Sequence, residues 1–256
     1  MEFTEKHAEL VGLHFGDGSL IRRKGTERLR FQLRGDAISD RAHYENFIIP
    51  LCNELIGFPI LGRPVTTTYY KKRNCFGVAV ESAQLAGFFE KLGVKVGRKE
   101  ELEIPEWIKN DENFSKAFVR GLFDTDGCIY YGTNHTAKSN LHIVGRIIIT
   151  STSKNLMHGV SAILSKIRLK HSIKERRKTN GEKNVFVVEV QRPHEKKFMS
   201  LIGSHNQKHL NKFKIAQIFG FCPPYTTPLE RRKILKGELN PLSLYARVPK
   251  RSNGQG

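Results

Sequence analysis

The sequence predicts an α+β protein built from two related halves. Residues 8–18 (AELVGLHFGDG) recur without a gap at residues 117–127 (AFVRGLFDTDG), 109 positions later. Segments that alternate apolar and polar residues follow each copy, as half-exposed β-strands do. The order of helices and strands is then the same twice, α-β-β-α-β-β-α. A duplicated domain is the simplest architecture with these features.

The elements of the first half follow from helical periodicity, caps and alternation. Thr4 is a predicted N-cap, and Gly57 and Pro59 are predicted to end the second helix. One strand places Leu29, Phe31 and Leu33 on its core face and Arg28, Arg30, Gln32 and Arg34 on the other. Helices are predicted at 4–16, 40–56 and 82–92, and strands at 19–23, 28–34, 65–71 and 75–81.

The second half repeats this order after a connection that Trp107 is expected to anchor. Its last hairpin has the turn sequence TNGE, residues 179–182. The predicted domains are residues 1–96, a linker 97–112, residues 113–220 and a C-terminal extension 221–256. Helices are predicted at 113–125, 154–167 and 194–202, and strands at 127–132, 141–151, 170–178 and 184–191.

Composition narrows the class of protein. No apolar run is long enough for a membrane span, and the charged N-terminus does not resemble a signal peptide. We therefore expect an intracellular, unsecreted protein, in the cytoplasm or nucleoid of a prokaryote or otherwise in an organelle. The spacing of the cysteines favours reduced thiols over disulfides or a zinc site; they are Cys52, Cys75, Cys128 and Cys222.

The net charge of +18 favours a polyanionic partner, most simply nucleic acid. Residues 1–112 hold 17 basic and 17 acidic side chains, so residues 113–256, with 26 and 8, carry the whole excess. The extension 221–256 is rich in proline and basic residues. We expect a tail whose last six residues are disordered, the alternative being a basic extension that touches DNA phosphates.

Small residues recur in the repeated segment at intervals of four, on one helical face. Two such faces can pack closely, so the C-terminal ends of the two helices should meet. Those ends carry Asp17 and Asp126, and the two carboxylates should share one site. The small residues are Ala8, Gly12 and Gly16 in the first copy and Ala117, Gly121 and Thr125 in the second.

Residues 10–18 (LVGLHFGDG) and 119–127 (VRGLFDTDG) resemble the paired motifs of LAGLIDADG homing endonucleases. The IPEWI linker and IGSHNQKH at 202–209 also resemble the single-chain, two-motif members. The resemblance implies two pseudo-symmetric αββαββα halves packed through the motif helices, with antiparallel sheets that form a DNA-binding saddle. The first aspartate of the motif is Asp124 in the second copy and is replaced by Phe15 in the first.

The resemblance also implies a catalytic site. Asp17 and Asp126 would bind Mg²⁺, with Mn²⁺ or Ca²⁺ able to substitute in binding, and the carbonyls of Gly16 and Thr125 would also meet the metals. Lys99 and Lys208 would lie near the scissile phosphates, with Arg98 and Lys212 as alternatives. His14 is expected to be a packed helix residue.

The polar faces of the sheets and the basic turn between two strands would bind the DNA. Arg can read guanine and Gln adenine, while lysines mostly meet phosphates. The predicted contacts are Arg22, Arg23, Arg28, Arg30, Gln32, Arg34, Lys71, Lys72, Arg73, Tyr130, Arg146, Lys170, Lys174, Arg176, Glu189 and Gln191.

The predicted function is that of a monomeric, Mg²⁺-dependent, site-specific endonuclease that makes a staggered double-strand cut in a long asymmetric DNA target. The alternative is an RNA maturase or DNA-binding regulator of the same fold without cleavage. The termini favour an intron-encoded or free-standing enzyme over an intein. A phosphatase related to the haloacid dehalogenases would need Thr where Cys128 stands, and the spacing does not suit a calcium loop.

Overall fold

The computed structural model describes residues 2–97, 99, 101–135, 141–177, 183–191 and 193–247. The first half contains the helices α1 (Glu5–Asp17), α2 and α3 (Leu85–Lys91). Helix α2 is a continuous run of four segments, Arg41–His43, Tyr44–Ile48, Ile49–Cys52 and Asn53–Leu61, of which the second and fourth are π-helical. The strands are β1 (Gly18–Arg22), β2 (Leu29–Asp36), β3 (Thr66–Tyr70) and β4 (Cys75–Ser82).

The second half repeats this arrangement after the short helix α4 (Glu106–Lys109). Its helices are α5 (Glu112–Asp126), α6 (Lys154–Lys166), α7 (Glu195–Leu201), α8 (Gln207–Phe219) and α9 (Pro228–Leu235). Its strands are β5 (Gly127–His135), β6 (Leu141–Ser151), β7 (Ser172–Arg176) and β8 (Val185–Gln191). A 3-10 turn, Pro241–Arg247, ends the described chain.

Each half forms a four-stranded antiparallel sheet, with the order β1-β2-β4-β3 in the first and β5-β6-β8-β7 in the second. The motif helix precedes the first strand of each sheet. Leu29, Phe31 and Leu33 are fully buried, which confirms the predicted core face of β2. The α+β fold and the duplicated order of elements are therefore confirmed.

Helices α1 and α5 pack closely through their glycines. A Cβ atom on Gly12 would collide with the Phe118 carbonyl oxygen and lie 2.9 Å from the Leu122 nitrogen. A Cβ atom on Gly121 would likewise collide with the Glu9 carbonyl oxygen. Only glycine permits this approach of the two backbones, as the spacing of small residues predicted.

The linker is fixed to the first half by Trp107. Its indole Nε1 donates to the Leu92 carbonyl at 3.1 Å, and its ring stacks on Phe3 with centroids 4.1 Å apart. Ile104 and Ile108 of the same segment are buried in the core shared by both halves. The predicted anchoring role of Trp107 agrees with these contacts.

The predicted end of the second helix at residue 56 is wrong. Helix α2 continues through Gly57 and Pro59 to Leu61 and ends where Gly62 adopts φ 64°. The Gly62 nitrogen donates to the Gly57 carbonyl, a bond between residues five apart. This wider turn lacks the four-residue bond that proline would disrupt, so Pro59 does not end the helix.

The C-terminal extension is folded as far as residue 247, contrary to the expectation of a tail. Helix α9 packs on α8, and Cys222, Ile234 and Leu244 are buried in the main core. Thr227 caps α9 by accepting a hydrogen bond from the Glu230 nitrogen at 3.1 Å. The predicted disordered end 251–256 and the predicted turn 179–182 lie outside the described residues.

Within the described residues, no helix combines the length and apolar character needed to cross a membrane.

Candidate active site and nucleic-acid interface

Asp17 and Asp126 end helices α1 and α5, and the close packing of these helices brings the two ends together. A Cβ atom on Gly16 would collide with the Thr125 hydroxyl and lie 3.4 Å from the Asp126 carboxyl carbon. Gly16, Lys99 and Asp126 line one open pocket of about 320 Å³. The sequence prediction that the two aspartates share a site therefore agrees with the geometry.

The protein alone does not favour carboxylates at these positions. Burial, the Asp126 charge and then the Asp40 charge raise the pKa of Asp17 to about 7, although Lys208 and Lys99 oppose the shift. Burial also raises the pKa of Asp126, against the effect of Lys99. Two anions held together at helix C-termini, where the dipole is also negative, are stabilised by added positive charge.

Lys99 lies beside the end of the first motif helix. Its Nζ donates to the Gly16 carbonyl at 2.7 Å and to the Phe15 carbonyl at 3.3 Å. Burial lowers the pKa of Lys99 to about 8, although Asp126 and Asp17 favour its charged form. The Lys99 ammonium group therefore donates a hydrogen bond to the Gly16 carbonyl, the group that the resemblance assigned to a metal ion.

Lys208 lies across the interface between the halves. Its Nζ donates to Asp40 Oδ1 at 2.7 Å, and Asn206 Nδ2 donates to the same oxygen at 3.1 Å. Asp40 is buried at the start of α2, in the first half. Its charge raises the pKa of Asp17, so it belongs to the same group of charges as the two motif aspartates.

Sequence reasoning missed Asp40. In the sequence, an aspartate that precedes a helix indicates an N-cap, and nothing local connects it to a lysine 168 residues away. Its side chain makes no capping hydrogen bond to α2. The missing capping bond indicates another role for Asp40, but it can be seen only in the structure.

Four other predicted positions have different outcomes. The Thr125 hydroxyl donates to the Gly121 and Leu122 carbonyls, at 3.1 and 3.0 Å. The predicted contact of the Thr125 carbonyl with a metal stays a prediction. Lys212 donates to the Ile129 carbonyl at 3.3 Å, and burial lowers its pKa. Arg98 lies outside the described residues. His14 is buried among Phe15, Phe31 and Phe89, as expected for a packed residue.

The first sheet presents Arg30, Gln32 and Arg34 on the face opposite the core. Arg34 is held by Tyr70, whose hydroxyl accepts from Nη2 at 2.6 Å and whose ring lies 4.0 Å below the guanidinium carbon. Arg28 precedes the same strand, with the same alternation. Lys71, Lys72 and Arg73 form an exposed 3-10 turn between β3 and β4.

Two predicted contacts of the first half are not on this face. Arg22 pairs with Leu29 in the sheet and so follows the alternation of the core residues, and it forms an ion pair with Glu27 at 2.8 Å. Arg22 therefore does not share the polar face of Arg30 and Arg34, and its contact with DNA stays a prediction. Arg23 lies beyond the end of β1 and forms an ion pair with Glu81 at 2.9 Å.

The second sheet has a polar face with one buried acid. The register pairs Tyr130 with Arg146 and Arg146 with Gln191, so the three share a face. Glu189 lies on the same face and is 4% exposed. Lys174 and Arg176 of β7 lie on the same face of the sheet as Glu189. Lys170 precedes β7 and lines a pocket of about 270 Å³ together with Glu189 and Gln191.

A second polar cluster joins the two halves beside the motif helices. Glu9 accepts from Arg120 at 2.7 and 3.0 Å and contacts His205 Nδ1 at 2.7 Å. Asp124 accepts from the Ser204 hydroxyl and from the His205 nitrogen. Burial alone would raise the pKa of Glu9, but hydrogen bonds from His205 and Arg120 bring it below its usual value.

Burial raises the pKa of Asp124 to about 7 despite its hydrogen bonds. Glu9, Asp124 and His205 have the spacing of a metal site. The oxygens of both acids are already bonded to protein donors, one of them the permanent cation Arg120. We therefore interpret the cluster as structural.

The residues between the two helix ends fit a divalent cation. Two carboxylates are hard oxygen ligands, and burial, together with the Asp126 charge in the case of Asp17, raises their pKa values, so an added cation would favour their ionised forms. Asp17 and Asp126 would hold the ion. One of the two carbonyls that the resemblance assigned to the ion, that of Gly16, accepts a hydrogen bond from Lys99, and its contact with a metal stays a prediction.

Solved structures share this fold. The I-LtrWI homing endonuclease bound to target DNA is 11% identical and covers 98% of both chains with a TM-score of 0.59. The I-SmaMI meganuclease covers 91% of this chain and 98% of its own, with 14% identity and a TM-score of 0.56. I-DmoI in complex with DNA and Mn covers 78% and 96%, with 21% identity and a TM-score of 0.54.

The chain is thus a duplicated α+β protein that shares the fold of these solved homing endonucleases and carries one aspartate at the end of each motif helix. Residues 113–203 match the model of the LAGLIDADG-like domain. This match covers the second half of the chain and agrees with the resemblance that its motif carries.

A curated relative, the tRNA-splicing ligase RtcB of Methanocaldococcus jannaschii, is 28% identical over 183 residues, which are 63% of this chain. The match spans only 17% of the length of that protein.

Proposed function

We propose that the protein is a site-specific, metal-dependent double-strand DNA endonuclease that acts as a monomer. The observation that carries this proposal is the meeting of Asp17 and Asp126 at the ends of two packed helices, between two sheets with basic polar faces. Solved relatives of the same fold have been captured with target DNA and with Mn or Ca. Mg²⁺ is the cofactor we propose.

Each aspartate serves one strand of the duplex. A divalent ion held by the two carboxylates would raise the acidity of a water molecule and neutralise the leaving oxygen. Lys99 and Lys208 place ammonium groups beside this centre, where they stabilise charge on the phosphate and orient water. The two cuts are offset and leave 3′ overhangs, as the family resemblance implies.

The test uses a target duplex selected from a random library by the full-length protein. In Mg²⁺ the wild type should convert a plasmid carrying this target to linear DNA, whereas D17N/D126N should leave it intact and still bind it. Loss of a metal-binding carboxylate should slow cleavage by at least about 100-fold. D36N, which changes an exposed aspartate at the end of β2, is the matched control and should cut normally.

Robust linearisation by the double variant would refute the mechanism. Selective binding of DNA without cleavage by the wild type would instead indicate a regulator. Binding and splicing of intron RNA by the purified protein would indicate a maturase.

A further inference from the structure

Glu189 is a buried acid on the otherwise basic face of the second sheet. Its carboxylate lies 3.4 Å from Arg146 Nε and 3.9 Å from Lys174 Nζ. Gln191 Nε2 donates to it at 3.2 Å. Three side chains that would face the DNA are thus arranged around one carboxylate.

The burial of Glu189 argues against direct contact with bases. Its side chain is 5% exposed, whereas those of Arg146 and Lys174 are 38% and 60% exposed. The carboxylate therefore lies below the cations that cover it. An anion that faces the phosphates of DNA weakens binding by repulsion. Any favourable effect of Glu189 on DNA binding must therefore come from the cationic side chains that it contacts.

The geometry around Arg146 shows what is held. Glu189 Oε1 lies 3.4 Å from Nε in an ion pair that is not a hydrogen bond, and Nη1 and Nη2 make no hydrogen bond to the residues that the structure describes. Arginine reads guanine by donating two hydrogen bonds to O6 and N7 in the major groove. A guanidinium that a carboxylate attracts on its Nε side keeps its Nη donors for that task and loses less rotational freedom on binding.

The first sheet fixes an arginine by different means. Arg34 is held by the Tyr70 hydroxyl and ring. Each half therefore supports one arginine from its second strand, one with an aromatic residue and one with a carboxylate. Different side chains thus contact an arginine at the equivalent strand of each half, which indicates that both halves orient this arginine for binding.

We propose that Glu189 is a positioning residue that fixes Arg146 to read a guanine in the arm of the target that faces the second sheet. The inference rests on the proposed DNA-binding function. It changes the role of Glu189 from a DNA contact to a support for one.

The experiment is selection of bound duplexes from a random library by the full-length protein in the D17N/D126N background, which prevents cutting. The selected target should contain a G·C pair in one arm whose preference falls roughly 5- to 100-fold in E189Q. Preferences in the other arm should stay unchanged. E54Q is the matched control, because Glu54 lies in α2, outside both sheets, and forms an exposed ion pair with Lys6.

A second variant separates positioning from general loss of structure. R146K should lose the preference for the same base pair, and E189Q/R146K should lose no more than R146K alone. A thermal melt checks that each variant folds. An E189Q profile identical to that of the parent, or losses spread over both arms, would overturn the inference while leaving the proposed function intact. A parent that selects no sequence would overturn both.

Discussion

Asp17 occupies a position where a neutral side chain would suit the isolated protein better. Its folded pKa of about 7 exceeds the usual 3.8, so its contribution to stability is complete below pH 3.8 and is lost as the pH rises through 7. Without metal, D17N should be more stable than the wild type at pH 8, on the order of 1–3 kcal/mol, and should approach it near pH 4. Thermal melts in EDTA at both pH values measure this.

Asp36 provides a control of opposite sign. Hydrogen bonds from the Ser39 nitrogen and neighbouring groups lower the pKa of Asp36, so its stabilising contribution is present at neutral pH and is lost in acid. D36N should therefore be less stable than the wild type at pH 8, with a difference that shrinks toward acid pH. A D17N variant that melts at or below the wild-type temperature at pH 8 would contradict the electrostatic account of the site.

Asp40 should affect cleavage through Lys208. D40N keeps the shape of the side chain but removes the charge that holds the lysine, so the strand served by Lys208 should be cut about 10- to 100-fold more slowly. Cleavage of a selected duplex with each strand labelled separately measures this bias. K208M should slow the cutting of the same strand as D40N, and K99M should slow the cutting of the other strand. Equal slowing of both strands by D40N would count against the assignment.

At the scale of elements, the contact between α1 and α5 sets the distance between the two aspartates. G121A should destabilise the protein by about 1–3 kcal/mol, because its new methyl group collides with the Glu9 carbonyl. It should also slow cleavage by moving the helix ends apart. Denaturant unfolding and cleavage rates measure the two effects.

Gly87 is the matched control, since it lies within α3 and a Cβ atom there meets nothing within 4 Å. G87A should stabilise the protein by up to about 1 kcal/mol through helix propensity. A G121A variant as stable as the wild type would show that the helices can separate without cost.

The elements also show where sequence reasoning succeeds and where it ends. The glycines of α1 and α5 and the alternation of β2 were readable because each signal is local and periodic. The end of α2 was misplaced because a π-helical turn accommodates Pro59, and the extension was underestimated because the burial of Ile234 depends on distant partners. The Asp40–Lys208 pair was invisible because it joins the two halves.

For the whole molecule, the net charge of +18 lies in the second half, so phosphate contacts there should dominate the salt dependence of binding. With 6–10 such contacts, affinity should fall about 10³- to 10⁵-fold between 50 and 200 mM salt. K170Q/K174Q should lower the slope of log Kd against log salt by about 2, roughly one for each lost contact. Fluorescence anisotropy with a labelled target measures this.

Lys6 supplies the control for this prediction, because it lies near the opposite end of α1 from Asp17 and forms an ion pair with Glu54 at 2.6 Å. K6Q removes one positive charge and K170Q/K174Q removes two, so the change in slope per removed charge tests whether net charge alone sets the slope. If position decides, K6Q should leave the slope unchanged, since Lys6 lies about 16 Å along α1 from Asp17, beyond the screening length of about 10 Å. An equal change in slope per removed charge for K6Q and K170Q/K174Q would refute a binding face on the second sheet.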